Sequence, residues 1–421
     1  MQLARGWLLK ASVALNVVVV VLWLSRGHRR DDDFGDGVEE EEEATRRRSR
    51  RLKELVECFD APAGFKVAQR GAYWVLLNYV PAARRRLRCH EGVTFTTHCD
   101  HTYLGNLAAL VDRWRAPVSL ALYAPGDDFP AACDAVVYAR SCLSPLVAEF
   151  VTFHVFFDSG QLPGAVPSPE DMLSRAANCS APAPWEETAE THRRRGEIPY
   201  PVNVARNVAR EASSTHFVLA ADVELYPSPG LADGFLDLVL RRGGHSSSPS
   251  GPEVFPLALF ELQEGAALPG SKTELLAMLS NGSAAPFHEK LCHDCHNLPN
   301  ARRWRGTPEE PRTRVLNVGR RTDRYRHWEP VFLGTRDDPL YDERLTWEGM
   351  RDKMTQGYIM CVKRYRFLIL NNPFLVHTPG IKRKVVDARR SEAIEHTNAL
   401  IDNVILPELK LLFGSDAKCS V

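Results

Sequence analysis

The sequence predicts an α/β protein, a mostly parallel sheet flanked by helices, carried behind an N-terminal transmembrane helix and a flexible stem. Three observations carry that prediction. From about residue 89 onward, short β-rich runs alternate with runs of helical period. Residues 7–24 are apolar but for Lys10, Ser12 and Asn16. Residues 26–51 are a dense mixture of opposite charges with little apolar content. Alternation of strands and helices implies a sheet covered on both faces, and a chain of 421 residues can bury a core of that size.

Taken in chain order, residues 1–6 read as a short cytoplasmic tail and 7–24 as a signal anchor, close to the roughly 20 residues that span a bilayer. A cleaved signal peptide needs small residues at its processing site. The stretch Leu22-Trp23-Leu24-Ser25-Arg26 supplies a poor one. Arg5 and Lys10 on one side and Arg26, Arg29 and Arg30 on the other leave the orientation open by charge. Residues 25–88 are expected to be stem and linker, because a run so charged cannot offset its ordering entropy by burial. The folded body is expected over 89–421.

Within the body, strands are predicted at 93–97, 118–123, 150–157, 216–220 and 254–260. Helices are predicted at 104–114, 130–139 and 204–211, then from Pro227, a good helix-start residue, to 241. Residues 391–412 read as mostly helical, with Pro407 as a kink. Residues 161–170 and 243–251 are Gly- and Pro-rich loops. Ligands of such sheets bind beyond the carboxyl ends of strands. That rule singles out Thr97 and His98 after the first strand and residues 222–224 after the fourth.

Composition narrows the function. Lys plus Arg equals Asp plus Glu at 53 each, so no net field draws in a nucleic acid. Ten cysteines suit an oxidising compartment. Asn178-Cys179-Ser180 and Asn281-Gly282-Ser283 are N-glycosylation sequons. Cys292-x-x-Cys295, with His293 and His296, is half of a zinc pattern with no second half, so a disulfide is the better reading.

The segment 216–227 is an apolar run ending in Asp222 and Glu224. In extended chain, residues i and i+2 point the same way, so both carboxylates can face one hard cation. Such a cation neutralises the charge on a departing nucleoside diphosphate. A solvated strand end is the alternative, and an acidic pair alone does not decide between them.

Several segments together resemble glycosyltransferase family 49. They are residues 200–211 (Tyr-Pro-Val-Asn-Val-Ala-Arg-Asn-Val-Ala-Arg-Glu), Asp222-Val223-Glu224, Lys272-Thr273-Glu274-Leu275, Cys292-His293-Asp294-Cys295, Trp328-Glu329-Pro330, Tyr341-Asp342-Glu343-Arg344 and Phe374-Leu375-Val376-His377. Residues 96–98 through 112–114 also fit, and the likeness covers roughly 93–412. The resemblance implies a GT-A fold, single-pass type II topology in the Golgi membrane with a luminal body, and a UDP-sugar donor. It also implies Mn²⁺ (or Mg²⁺), with His377 joining Asp222 and Glu224 as third ligand. A histidine with two carboxylates suits Mn²⁺ better than Mg²⁺. The implied reaction is inverting transfer of glucuronic acid from UDP-glucuronic acid to a glycan acceptor, such as O-mannosyl glycans on glycoproteins.

For the donor the expected contacts are Thr97, His98, Arg206, Asn207, Arg210 and Lys382. An arginine of the pair Arg206 and Arg210, one helix turn apart, would fit a glucuronate carboxylate or the acidic motif. Asp342 or Glu343 is the expected general base, and Trp328 offers a face for a sugar ring. Lone surface pairs, a solvated basic turn or a core tryptophan would be the plain alternatives. One departure stands out: the family pattern at the metal is Asp-x-Asp, and here the second acid is Glu224. Two rival functions follow, a non-catalytic glycan-binding or scaffold protein on the same fold, and the same chemistry with UDP-GlcNAc or UDP-xylose. A homodimer or a complex with other glycosyltransferases is a further expectation.

Overall fold

The computed structural model describes residues 43–421 apart from 61, 63, 187–189, 245–250, 293, 379 and 382–387. The expected anchor at 7–24 and Lys382 therefore lie outside the described residues. Among the described residues, no helix is long and apolar enough to cross a membrane. The chain divides into two units, Met1–Glu54 and Leu55–Val421.

In the first unit, residues 43–54 are helical. This corrects the expectation of a structureless stalk across that stretch. Opposite charges four apart support a helix, as where Arg47 meets Glu43 at 2.9 Å.

The second unit is built on two sheets. The larger has ten strands in the order β1-β2-β5-β4-β3-β6-β12-β8-β13-β11. These are β1 (Lys66–Arg70), β2 (Tyr73–Val80), β3 (Val93–Cys99), β4 (Val118–Tyr123), β5 (Val151–Asp158), β6 (Phe217–Ala220), β8 (Glu253–Pro256), β11 (Val315–Gly319), β12 (Phe332–Thr335) and β13 (Arg366–Leu370). The smaller has the order β10-β9-β14-β7, from β7 (Leu225–Pro227), β9 (Ala258–Leu262), β10 (Ala284–Pro286) and β14 (Phe374–His377).

The larger sheet is mixed. Neighbours run parallel through β5-β4-β3-β6 and between β8 and β13, and antiparallel elsewhere. The expected mostly parallel sheet is thus its central part, where β3 and β4 are buried along their whole length. Such two-faced burial is what continuous apolar strands predict. Flanking helices follow the same logic. The helix Leu107–Trp114 buries Leu107, Leu110, Val111 and Trp114, one face at spacing three and four. The helix Val202–Ala212 lays Val204, Ala205, Val208 and Ala209 on Tyr123 and Phe156 of the sheet.

Other expectations shift. Lys66–Arg70 and Tyr73–Val80, placed in the stem, are edge strands of the larger sheet, because the run Tyr73-Trp74-Val75-Leu76-Leu77 buries against β5. Pro227 ends β7, and the helix after it begins at Leu231. The predicted strand at 254–260 is two strands in different sheets, parted at Leu257. The C-terminal helix Ala388–Leu400 passes through a π-turn at Ile401–Ile405 into Leu406–Phe413, and Pro407 sits in the first turn of that last piece. The π-turn just before it is the interruption expected at this proline.

Four disulfides join Cys58 to Cys89, Cys142 to Cys179, Cys292 to Cys295 and Cys361 to Cys419. Cys99 and Cys133 are buried thiols.

Three chain segments pass from the larger sheet to the smaller one: β6 to β7, β8 to β9 and β13 to β14. The first passage contains Asp222 and Glu224, and the third ends in His377. Topology thus gathers residues far apart in sequence at the seam of the two sheets.

Candidate active site at the seam of the two sheets

Asp222 and Glu224 sit in a tight turn, closed by the Leu225 N–H donating to the Asp222 carbonyl at 3.0 Å. The extended arrangement expected for the pair is corrected to this turn. Val223 between them is buried, while both acids stay partly open. β14 pairs with β7 so that His377 is opposite Leu225, the residue after Glu224. The His377 Nε2 lies 3.9 Å from Glu224 Oε2. His377 is 3% exposed, and its Nδ1 has no hydrogen-bond partner.

Asp222 faces the other way along the seam. Its Oδ1 accepts from His98 Nε2 at 3.2 Å and from Arg206 Nη2 at 3.2 Å. His98 Nδ1 lies 3.0 Å from the Tyr200 hydroxyl. One tautomer serves both contacts, with Nε2–H on the carboxylate and Nδ1 accepting from the phenol. Burial pushes the His98 pKa down, against the pull of Asp222, so the ring is neutral. Burial alone would raise the Asp222 pKa, but Lys353 and Arg206 hold it well below the usual carboxylate range.

These donors fit a divalent cation. Asp222 Oδ2 carries no bond among the described residues, Glu224 has only its loose approach to His377, and one nitrogen of His377 is orphaned. Two carboxylates and an imidazole are a suitable set for Mn²⁺ or Mg²⁺. The three groups stand more loosely than a filled coordination sphere. On β9, Glu261 is the register neighbour of His377 and lies 3.8 Å from His288 Nε2. The rings of Phe287, His288 and His296 line the same side, with Phe287 5.4 Å from His377 and 4.9 Å from His296.

The helix Val202–Ala212 plays a different part. Arg206 is buried between Asp352 and Asp222 and also donates to Asn203 Oδ1 at 3.0 Å. Those two acids keep it charged despite burial. Asn207 donates to the Tyr341 carbonyl at 2.9 Å and Glu343 Oε1 at 2.7 Å, and accepts from the Tyr341 N–H at 3.1 Å. Arg210 donates to the carbonyls of Pro339, Asp338 and Thr335. Arg206 thus reaches the acidic motif, while Asn207 and Arg210 pin the segment 335–343 and present no open face to a donor. Thr97 is buried on β3 with its hydroxyl unpartnered.

Two expectations are corrected. Trp328 is 2% exposed and packs on Phe367 at 5.1 Å, so it offers no face to a sugar. Asp342 is gripped by Arg344, whose Nε and Nη2 donate at 2.9 and 2.7 Å. Glu343 is held by Arg70 and Asn207. Both oxygens of Asp342 are thus taken, whereas the bonds to Glu343 all fall on its Oε1. Asn178 and Asn281 are exposed, and each side-chain oxygen accepts the N–H two residues on, at 3.0 and 2.9 Å.

Sequence reasoning passed over Glu329, Asp352 and Lys353. The first stood in a quoted segment beside Trp328, where the aromatic drew the attention. The other two carry no pattern and are placed here by the loop before the helix Met354–Val362. The positive charge of Lys353 pulls down the pKa of Asp222, His98, His296, Glu329 and Asp352.

A family model described as "Glycosyl-transferase for dystroglycan" matches residues 92–414. The chain belongs to glycosyltransferase family 49. Among curated proteins it is similar to β-1,4-glucuronyltransferase 1 of Danio rerio, 29% identical over 297 residues, covering 69% of this chain and 67% of that one. The Homo sapiens protein of the same name is 28% identical over 334 residues, covering 78% and 77%. Xylosyl- and glucuronyltransferase LARGE1 of Homo sapiens is 24% identical over 335 residues, 78% of this chain but 36% of that protein. This family 49 member is therefore a glycosyltransferase, and its family implies a nucleotide-sugar donor and a glycan acceptor.

Proposed function

We propose that the protein transfers glucuronic acid from UDP-glucuronic acid to a glycan, such as an O-mannosyl glycan of a glycoprotein, with inversion at the anomeric carbon on a GT-A fold. The observation that carries this reading is the meeting of Glu224 and His377 at 3.9 Å beside Asp222, at the seam where three chain segments change sheets. The relatives named for glucuronyl transfer support the donor.

In this reading Asp222, Glu224 and His377 hold Mn²⁺ or Mg²⁺. When bound, the cation supplies charge neutralisation for the leaving diphosphate. The chain's own residues do the rest. His98 and Arg206 fix the Asp222 carboxylate and keep it ionised at neutral pH. Lys353 adds positive charge where the donor's phosphates or its sugar carboxylate would lie. The apolar stretch at 7–24, four disulfides and two exposed sequons support a single-pass type II protein with its body in the Golgi lumen.

The test is a panel of UDP-sugars offered to the full-length protein with Mn²⁺, with and without EDTA, reading UDP release and product. UDP-glucuronic acid is expected to turn over, EDTA to stop it, and Asp222→Ala or His377→Ala to abolish it in folded protein. Preference for UDP-xylose or UDP-GlcNAc would keep the chemistry and change the donor. No turnover with any of them, alongside glycan binding, would leave the scaffold reading.

A further inference from the structure

Glycosyl transfer to a hydroxyl needs a group that takes the acceptor proton as the new bond forms. A carboxylate wrapped by strong donors is a poor base, because each hydrogen bond stabilises the ionised form. That counts against Asp352, which Arg206 holds ionised; Asp342 has both oxygens on Arg344, and Glu343 has Oε1 on Arg70 and Asn207.

Glu329 is built differently. Its carboxylate makes no hydrogen bond or ion pair among the described residues, and the residue is only partly exposed. Its backbone, by contrast, is fixed on both sides. The N–H donates to the Cys295 carbonyl at 2.7 Å, and the carbonyl accepts from His296 Nδ1 at 3.1 Å. Buried Trp328 precedes it and Pro330 follows it. The side chain is thus held by its frame while its oxygens stay uncommitted, the arrangement a base requires.

Its place in the fold also fits. His296, which holds the Glu329 carbonyl, touches Phe287, and Phe287 touches His377. Lys353 and Arg206 act on both Glu329 and Asp222. Glu329 is therefore linked to His377 through two rings, His296 and Phe287.

We propose that Glu329 is the general base of the transfer, taking the proton of the acceptor hydroxyl. This rests on the transferase reading above. The acceptor oxygen's lone pair forms the bond to the anomeric carbon of the nucleotide-sugar. The bond from that carbon to the diphosphate oxygen breaks, and its electron pair leaves on the nucleoside diphosphate. The proton ends on a Glu329 oxygen and is then lost to solvent.

Burial pushes the Glu329 carboxyl up to about 7, with Asp352 adding to the rise and Lys353, Arg321 and Arg206 opposing it. The neighbouring His296 is neutral, its own pKa driven down to about 3 by burial and by Lys353 and His288. A base poised near the working pH is efficient.

The experiment compares full-length wild type with Glu329→Gln and Glu329→Asp, using UDP-glucuronic acid, Mn²⁺ and p-nitrophenyl glycosides as acceptors. Wild-type kcat/KM should rise with pH along a limb centred near 7. Glu329→Gln should lower kcat by about 10³-fold, leave Mn²⁺-dependent UDP binding and donor KM within about threefold, and lose that limb. Glu329→Asp, which keeps the charge on a shorter arm, should keep the limb and lose about tenfold in kcat. A Glu329→Gln enzyme that retains more than a tenth of wild-type kcat, or keeps the limb, overturns the proposal. Should that variant not fold, an unchanged kcat in Glu329→Asp does the same. Failure of wild type to turn over any UDP-sugar sinks the transferase reading and this one with it, whereas an active wild type and an active Glu329→Gln sink this one alone.

Discussion

The helix Val202–Ala212 and the seam beside it both bury polar groups, but they treat them in opposite ways. Along the helix every long polar side chain is satisfied. Asn203, Arg206, Asn207 and Arg210 together bind backbone carbonyls, Glu343, Asp352 and Asp222. At the seam the groups are left short. His377 Nδ1 is buried without a partner, and the partly exposed carboxylates of Glu329 and Glu224 make no hydrogen bond among the described residues. An unmet buried polar group costs on the order of 1–3 kcal/mol. Along the helix the fold completes its own polar groups, whereas His377 at the seam is open to completion by a ligand. The contrast separates residues that hold the site from residues that are the site.

The largest test of that contrast is Glu224→Gln. The substitution conserves shape and removes a charge that no protein group at the seam pairs closely. If the seam is the site, turnover of UDP-glucuronic acid with Mn²⁺ should fall at least about 10³-fold, the scale of losing charge stabilisation in such a reaction. The urea midpoint should stay within error of wild type. A variant that remains active, or one that loses stability in step with activity, would move Glu224 to the frame.

Much of this was readable in the sequence. The central strands 93–99, 118–123 and 151–158 stand where apolar runs end in turn residues, because two-faced burial leaves no polar alternation to misread. The acidic pair and His377 were found from strand ends and a family pattern. The edge strands β1 and β2 were not, since they follow a charged run and carry polar residues at the rim. The two-sheet seam was also hidden. Nothing local tells that 254–260 changes sheet at Leu257. The contacts of Asn207, Arg210 and Asp342 were misjudged for one reason. Conspicuous polar motifs look the same whether their partners are substrate or distant backbone, and only the tertiary contacts of 335–343 decide it.

Arg210→Ala is the next test, and it acts on the frame. Arg210 is 2% exposed and donates to three carbonyls across 335–339. Its loss leaves those acceptors and the neighbouring Asp338 with fewer donors, and the unfolding free energy should drop by about 3 kcal/mol. Turnover per folded molecule, measured well below the new midpoint, should stay within about threefold of wild type. A 10³-fold loss of turnover in folded Arg210→Ala would place this arginine on the substrate and erase the distinction between helix and seam.

The smallest expected effect comes from His154, a framework histidine in β5, in register with His98 two strands away. It is fully buried, accepts from the Asn78 N–H at 2.8 Å through Nδ1, and meets Ser119 Oγ at 3.0 Å through Nε2. Ser119 passes the bond on to the Ala209 carbonyl at 2.7 Å. Asn78 takes a positive φ of 52° at a bulge in β2, so the histidine ties that strand to the helix layer. A proton on the ring would break the bond to Asn78, and burial lowers the pKa from 6.5 to about 3. Above 6.5 the ring is neutral in both folded and unfolded chains. Between 6.5 and 3 the unfolded chain takes up a proton that the folded one refuses, so stability falls as pH falls through that window. From pH 6.5 to 5.5 the loss from this one ring is about 1 kcal/mol. His154→Gln lowers stability at every pH, but its urea-derived stability should decline less steeply over that interval, by about that amount. The slope is the readout, and the offset drops out of it. Identical slopes in the two proteins would mean that the ring is protonated in place, and that a satisfied neutral network is not what holds this half of the molecule together.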